Sequence, residues 1–170
     1  VPDGPTTNDD WQVLISEQAT RYGVRYHRIA LGILHDVQAA HDVCQEAFLK
    51  AWAQRGGIVN ERALPGWLAR VVVNESMAVL RRRRTEDRLL SPRPPSSGEG
   101  GPSAALDRSE LCGRVRLAVA ELPEPTRTIV VMRLMQGMPG QEVKAMLGIS
   151  ASEVSRRLHA GMEALRHVLG

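Results

Sequence analysis

The stretch TEDRLLSPRPPSSGEGGPSA, residues 85–104, limits this chain more than any other feature. It is rich in Pro, Gly and Ser and holds little to bury after Leu90. Such composition neither continues a helix nor packs into a core, so it reads as a flexible linker. The 170 residues therefore divide into an N-terminal part ending at residue 84 and a C-terminal part from residue 105. Each is long enough for a small helical domain. Hydrophobic residues make up 43% and charged residues 24%, the balance of a folded, soluble protein rather than a disordered one. Only 4% is aromatic, so the cores must be built from Leu, Val, Ile, Ala and Met, and helix is favoured over strand.

Apolar periodicity places the helices. Trp11, Leu14, Ile15, Tyr22, Tyr26, Ile29, Ala30, Ile33 and Leu34 recur at 3- and 4-residue steps, one stripe over 9–34. Gly23 falls off the stripe. A second helix is predicted over 37–54, capped by Asp36, with Val43, Ala47, Phe48 and Ala51 inward. A third starts at Pro65, carries Trp67, Leu68, Val71, Val72 and Leu80, and ends in the run Arg81 to Arg84. Beyond the linker, helices are predicted over 105–121, 124–136, 140–147 and 151–168, punctuated by Pro123, Pro125, Gly137, Pro139 and Gly148. No two-residue strand period stands out. The expected fold is all-α: two small helical domains, 9–84 and 105–169, on a tether at 85–104.

Net charge is +3 and the pI about 9.3, which permits nucleic acid as a partner without demanding it. The basic residues are nearly all arginine, the side chain that forks onto phosphate, although a G+C-rich genome produces the same bias. Cys44 and Cys112 stand far apart and form no CxxC pair, which fits a reducing compartment. No apolar run is long enough to span a membrane, and the polar, acidic start VPDGPTTNDD is unlike a secretory signal. The expected location is the cytoplasm.

The segment QEVKAMLGISASEVSRRL reads as a short helix, a glycine turn and a second helix. Gly148 permits a left-handed turn, and Ser150 with Glu153 forms an S-x-x-E capping box. Val143, Leu147, Ile149, Val154 and Leu158 would share a core, leaving Ser152, Ser155, Arg156 and His159 outward. A helix-turn-helix offers such residues to a major groove. An ordinary helical hairpin uses the same turn chemistry, and both readings stand on the turn alone.

Two further stretches carry polar patterns. In AHDVCQEAFLKAW, Asp42, Gln45, Glu46 and Leu49 share one helix side, suited to a basic protein partner or to plain solvent exposure. In LPGWLARVVVNESMAVLRRRR, the terminal arginines suit the helix dipole and would equally grip phosphates. Trp67 reads as core, with base stacking as its second use.

In this order and spacing the three stretches resemble the extracytoplasmic-function (ECF) group of bacterial RNA polymerase sigma factors, over 20–84 and 105–169. HDVCQEAFLKAW is similar to the D-x-x-Q-E-x-F-x-x-A-W pattern of sigma region 2. WLARVVVNESMAVLRRRR is similar to its W-L-x-x-I-x-x-N segment. LPEPTRTIVVMRLMQGMPGQEVKAMLGISASEVSRRL is similar to region 4, with its helix-turn-helix. The resemblance implies a protein that binds core RNA polymerase and directs initiation at promoters through −10 and −35 elements. It implies that Asp42, Gln45, Glu46 and Leu49 dock on the β′ clamp helices. It implies that Asn60 and Arg62 of the loop RGGIVNER, with Trp67, Asn74 and Arg81, Arg82, Arg83 and Arg84, meet −10 DNA. Ser152, Ser155, Arg156, Arg157 and His159 would read −35 DNA. The β flap and an anti-sigma factor are further implied partners, with no cofactor and no membrane insertion.

The chain departs from the family pattern in two places. Ala78 stands where an Asp is usual, and Ala160, Gly161 and Met162 replace a basic run after the recognition core. These departures keep a second reading open, a sigma-like regulator acting mainly through protein contacts and binding DNA weakly. An enzyme is not expected, because no Ser/His/Asp set, carboxylate pair or phosphate loop stands out. His35, His41 and Cys44 cluster but lack a clear fourth ligand, so no metal is expected.

Overall fold

The computed structural model describes residues 7–58, 60–90 and 104–170, without the side chains of 88 and 104–109. The described residues form seven α-helices. They are α1 (Asn8–Leu34), α2 (Val37–Ala53), α3 (Leu64–Leu90), α4 (Ala104–Ala120), α5 (Thr126–Val130), α6 (Gly140–Leu147) and α7 (Ala151–Leu169). Two short 3₁₀ turns, Arg55–Gly57 and Glu61–Ala63, connect α2 to α3. No strand occurs among the described residues, so the all-α expectation holds.

Local chemistry sets most boundaries. Thr7 accepts a hydrogen bond from the Asp10 amide at 3.1 Å while the Asp10 carboxylate accepts from the Thr7 amide at 2.9 Å, a T-x-x-D capping box that opens α1. Asp36 caps α2 by accepting from the Ala39 amide at 3.0 Å. Gly148 takes φ 65°, the left-handed turn that separates α6 from α7. The expected end of α3 at Arg84 is not observed: the helix runs on to Leu90, into the segment read as linker from residue 85. The rest of that segment, 91–103, lies outside the described residues. The helix predicted over 124–136 is also different. It starts at Thr126 and widens into a π turn over Val131–Met135, closed by the Gln136 amide on the Val131 carbonyl at 3.0 Å.

Helices α1, α2 and α3 pack on one another. Tyr26, Ile29, Ile33, Leu68, Val72, Val73 and Met77 are fully buried there. Burying each such aliphatic side chain stabilises the fold by ~1.5–3 kcal/mol. The Tyr26 ring meets Phe48 edge-on at 6.0 Å, and its hydroxyl donates to the Pro65 carbonyl at 3.2 Å, which ties α1 to the start of α3. Burial raises the Tyr26 pKa, so the hydroxyl stays a donor.

Helices α4 to α7 form the second unit, with Ile129, Val130, Val131, Met132, Val143 and Val154 inside. On α7 the 3- and 4-residue spacing of Val154, Leu158, Met162 and Leu165 would turn all four inward, and one of them departs from it. Val154 and Leu165 are buried and Leu158 is half-buried, but Met162 is exposed, and Gly161 takes the inward place. Helix α5 crosses α7 so closely at that point that a Cβ at 161 would press on the Val130 and Thr126 methyl groups. The two units do not stand apart. α3 packs against α4, α5 and α6, and the buried residues of both form one continuous core.

Candidate nucleic-acid interface

The polar edge of α2 is built as the helix period requires. Val43, Cys44, Ala47 and Ala51 are buried. That turns Asp42, Gln45, Glu46 and Leu49 to solvent, and Leu49 is 57% exposed. Gln38 Nε2 donates to the Asp42 carboxylate at 3.0 Å. Lys50 bridges to Glu75 on α3 at 2.6 Å and lies 3.9 Å from Glu46. Beside this edge an apolar cleft of about 540 Å³ opens between α1 and α2, lined by Ile15, Ala19, Phe48, Leu49 and Trp52 among others. An acidic edge beside a greasy cleft can take a basic, apolar-ridged helix. Cys44 beneath it is buried, which pushes its thiol up to about 11 and keeps it unreactive.

The residues read as −10 contacts, in the turn before α3 and on α3 itself, are scattered in environment. Asn60 accepts from the Ala63 amide at 3.0 Å, so its side chain caps a turn, while Arg62 is exposed. Trp67 is half-buried against the core. Arg81, Arg82 and Arg84 are exposed, and Arg81 reaches the Ala120 carbonyl at 3.3 Å. Arg83 pairs with Asp36 at 2.8 Å. The Ala39 amide first, and then Arg83, hold the Asp36 carboxyl below its ordinary value of 3.8. Asn74 accepts a hydrogen bond from Arg127 at 2.9 Å. Ala78 is exposed and lines a groove with Asp42, Glu46 and Glu75.

On α7, Ser150 accepts from the Glu153 amide at 3.1 Å, as the capping box requires. The other half of the box does not form. The Glu153 carboxylate is taken instead by Arg156 at 2.6 Å and Arg157 at 2.7 Å. Guanidinium outcompetes an amide because both partners carry charge. These bonds, Arg156 first, hold the Glu153 carboxyl below its ordinary 4.5. Ser152, Ser155, Arg156 and His159 are all exposed, Arg157 is half-buried, and Ala160 and Met162 continue the open face. Sequence reasoning missed Arg127, whose partner lies 53 residues away; the only local hint was its place in LPEPTR.

Comparison with known proteins identifies the two parts of the chain. The Sigma-70 region 2 family matches residues 19–86 and the Sigma-70 region 4 family matches residues 118–167. The RNA polymerase sigma-H factor of Pseudomonas aeruginosa is 28% identical over 160 residues, covering 86% of this chain and 83% of that protein. The ECF RNA polymerase sigma factor SigW of Bacillus subtilis is 25% identical over 158 residues, covering 87% and 84%. The ECF RNA polymerase sigma factor SigL of Mycobacterium tuberculosis is 31% identical over 150 residues, covering 84% and 81%. Sigma factors bind core RNA polymerase and promoter DNA and are transcription regulators, not enzymes. With both sigma regions present in order, and with relatives matched over most of their length, this chain belongs to the ECF group of RNA polymerase sigma factors and directs promoter-specific transcription.

Proposed function

We propose that the chain divides its work among the three sets of residues described above. Asp42, Gln45, Glu46 and Leu49 dock on the β′ clamp helices of core polymerase. Asn60, Arg62, Trp67, Asn74 and Arg81 to Arg84 engage the −10 element. Ser152, Ser155, Arg156, Arg157 and His159 engage the −35 element, with the C-terminal domain, 105–169, resting on the β flap. The observation that carries this reading is segregation. On α2 and α7 one face, Val43, Ala47 and Ala51 or Val154, Gly161 and Leu165, is buried, and the proposed contact residues are exposed or half-exposed on the other face of a capped helix. Arg156 and Arg157 stand forked on Glu153, so their geometry is ordered before any base edge arrives. An anti-sigma factor, implied by the family resemblance, completes the partner set, and the cytoplasm is the site of action.

Run-off transcription with purified core polymerase on a genomic library tests the assignment. Start sites should share one −10 and one −35 sequence, and Arg156→Ala should weaken transcription from those with the strongest −35 match. Transcription without a shared upstream sequence would overturn it.

A further inference from the structure

The adjacent arginines of α7 share one anchor. Glu153 lies in the first turn of the helix, where the Ser150 hydroxyl accepts from its amide at 3.1 Å and fixes its backbone. Its carboxylate does not turn back to complete the capping box. It accepts four hydrogen bonds from the next turn instead. Oε2 takes Arg156 Nε at 3.0 Å and Arg156 Nη2 at 2.6 Å, while Oε1 takes Arg156 Nη2 at 2.7 Å and Arg157 Nε at 2.7 Å. A carboxylate has about four lone-pair sites, so these bonds leave none for a base. In a major groove a carboxylate ordinarily accepts from a cytosine amine; Glu153 is already filled. Arg156 is not. Five N–H groups make up a guanidinium, and with the Nε edge on Glu153 the fork that includes Nη1 is left for a second acceptor. The Arg156 side chain is 66% exposed, against 28% for Glu153.

We propose that Glu153 is a positioning residue for promoter choice: it holds Arg156 by one edge, braced by Arg157, so that the other fork of Arg156 meets a guanine of the −35 element at a set place. The proposal rests on the assignment of Arg156 to −35 DNA. Two physical effects give Glu153 this role. A free guanidinium swings to whichever phosphate is near and gains affinity without choosing a sequence. One held by its Nε edge has lost that freedom before DNA arrives and offers a single fork. The carboxylate also cancels one of the two positive charges at the reading end of α7. Sequence-independent attraction to phosphate falls with it. Placement counts for more on this helix because the rest of its face is poor in donors. No basic residue stands between His159 and Arg166. Discrimination therefore depends on how the first two arginines are held rather than on how many there are.

The test uses holoenzyme assembled from core polymerase and the full chain, on a promoter mapped by run-off transcription. Each −35 base pair is replaced in turn by the other three, and run-off rates are compared at limiting holoenzyme with non-promoter duplex as competitor. The natural chain should lose about tenfold or more when the guanine read by Arg156 is replaced. Glu153→Gln keeps the length of the side chain and the capped amide but removes the charge. It should cut that penalty to about threefold or less and steepen the salt dependence of binding to the non-promoter duplex. Glu163→Gln controls for charge alone. It removes the other carboxylate of α7, which pairs with His159 at 3.5 Å rather than with either arginine, and it should leave the guanine penalty as it is. In an Arg156→Ala chain the penalty should already be gone, and adding Glu153→Gln should change it no further. A full guanine penalty in Glu153→Gln, or an equal loss of it in Glu163→Gln, overturns the positioning role. So does a fall in rate that is the same at every sequence, which marks a structural role instead. A penalty that survives Arg156→Ala overturns the assignment of Arg156 to −35 DNA, and the role of Glu153 falls with it.

Discussion

Gly161 of α7 lies directly under Val130 of α5, so that a Cβ at 161 would stand 2.5 Å from Val130 Cγ2 and 3.1 Å from Thr126 Cγ2. Helix propensity alone favours Gly161→Ala by ~1 kcal/mol. The crossing reverses the sign. The added methyl overpacks the contact, and the expected loss is ~1–3 kcal/mol. Gly23→Ala is the control, since nothing lies within 4 Å of that position in α1. It should stabilise by ~0.5–1 kcal/mol. Urea unfolding of the two variants should move in opposite directions, and a stabilising Gly161→Ala would contradict the packing of α5 on α7.

Asp42→Arg combined with Glu46→Arg should lower affinity for core polymerase by about tenfold or more, because like charges then face a basic partner surface. Both side chains are exposed, with 65% and 52% of their surface open, so the helical circular dichroism should stay as it is. Undiminished co-purification with core enzyme would remove α2 from the docking surface.

For α7, Arg156→Ala should weaken binding to a −35 duplex by ~1–3 kcal/mol if the guanidinium forks onto a guanine. Ala160→Arg should strengthen binding and steepen the log–log salt slope by ~0.9, the contribution of one further phosphate contact. Fluorescence anisotropy across a salt series reads both. An unchanged slope for Ala160→Arg would show that the second half of α7 stands away from DNA.

Acid should weaken the fold partly through Asp36. The Ala39 amide and Arg83 lower its pKa in the folded chain below the ordinary 3.8. A carboxyl whose pKa is lowered by folding contributes its full stabilisation above the unfolded value and loses it as pH falls through the folded one. Asp36→Asn keeps a capping oxygen but has no charge to protonate. The stability gap between the natural chain and Asp36→Asn should therefore be constant above about pH 5 and shrink below pH 3.8. Thermal melts over that range measure it, and a gap that widens in acid would mean that the Ala39 amide and Arg83 do not lower the Asp36 pKa on folding.

What the sequence determined by itself is the set of helices and, α5 apart, their starts to within a residue, because those signals are local. Asp36, Pro65, Gly148 and Ser150 each act on amides or torsions within a few residues. The apolar stripes of α1 and α2 likewise name their own buried faces, and the family pattern was legible in HDVCQEAFLKAW and LPEPTR. Misreadings arose where the local signal was ambiguous or missing. Four arginines resemble a helix end, yet no Gly or Pro follows before Pro92, so nothing stops α3 at Arg84. No residue announces the π turn at Val131–Met135. Only the tertiary structure decided the rest. Met162 fits the α7 stripe by spacing, but the crossing of α5 brings Gly161 inward and leaves Met162 outside. Asn74 reads as an open polar residue until Arg127, 53 residues on, is packed against it. Spacing along one helix fixes a face only to within a residue or so. Which residue on that face meets a neighbour depends on where another helix crosses, and that is settled by the packing of the whole chain.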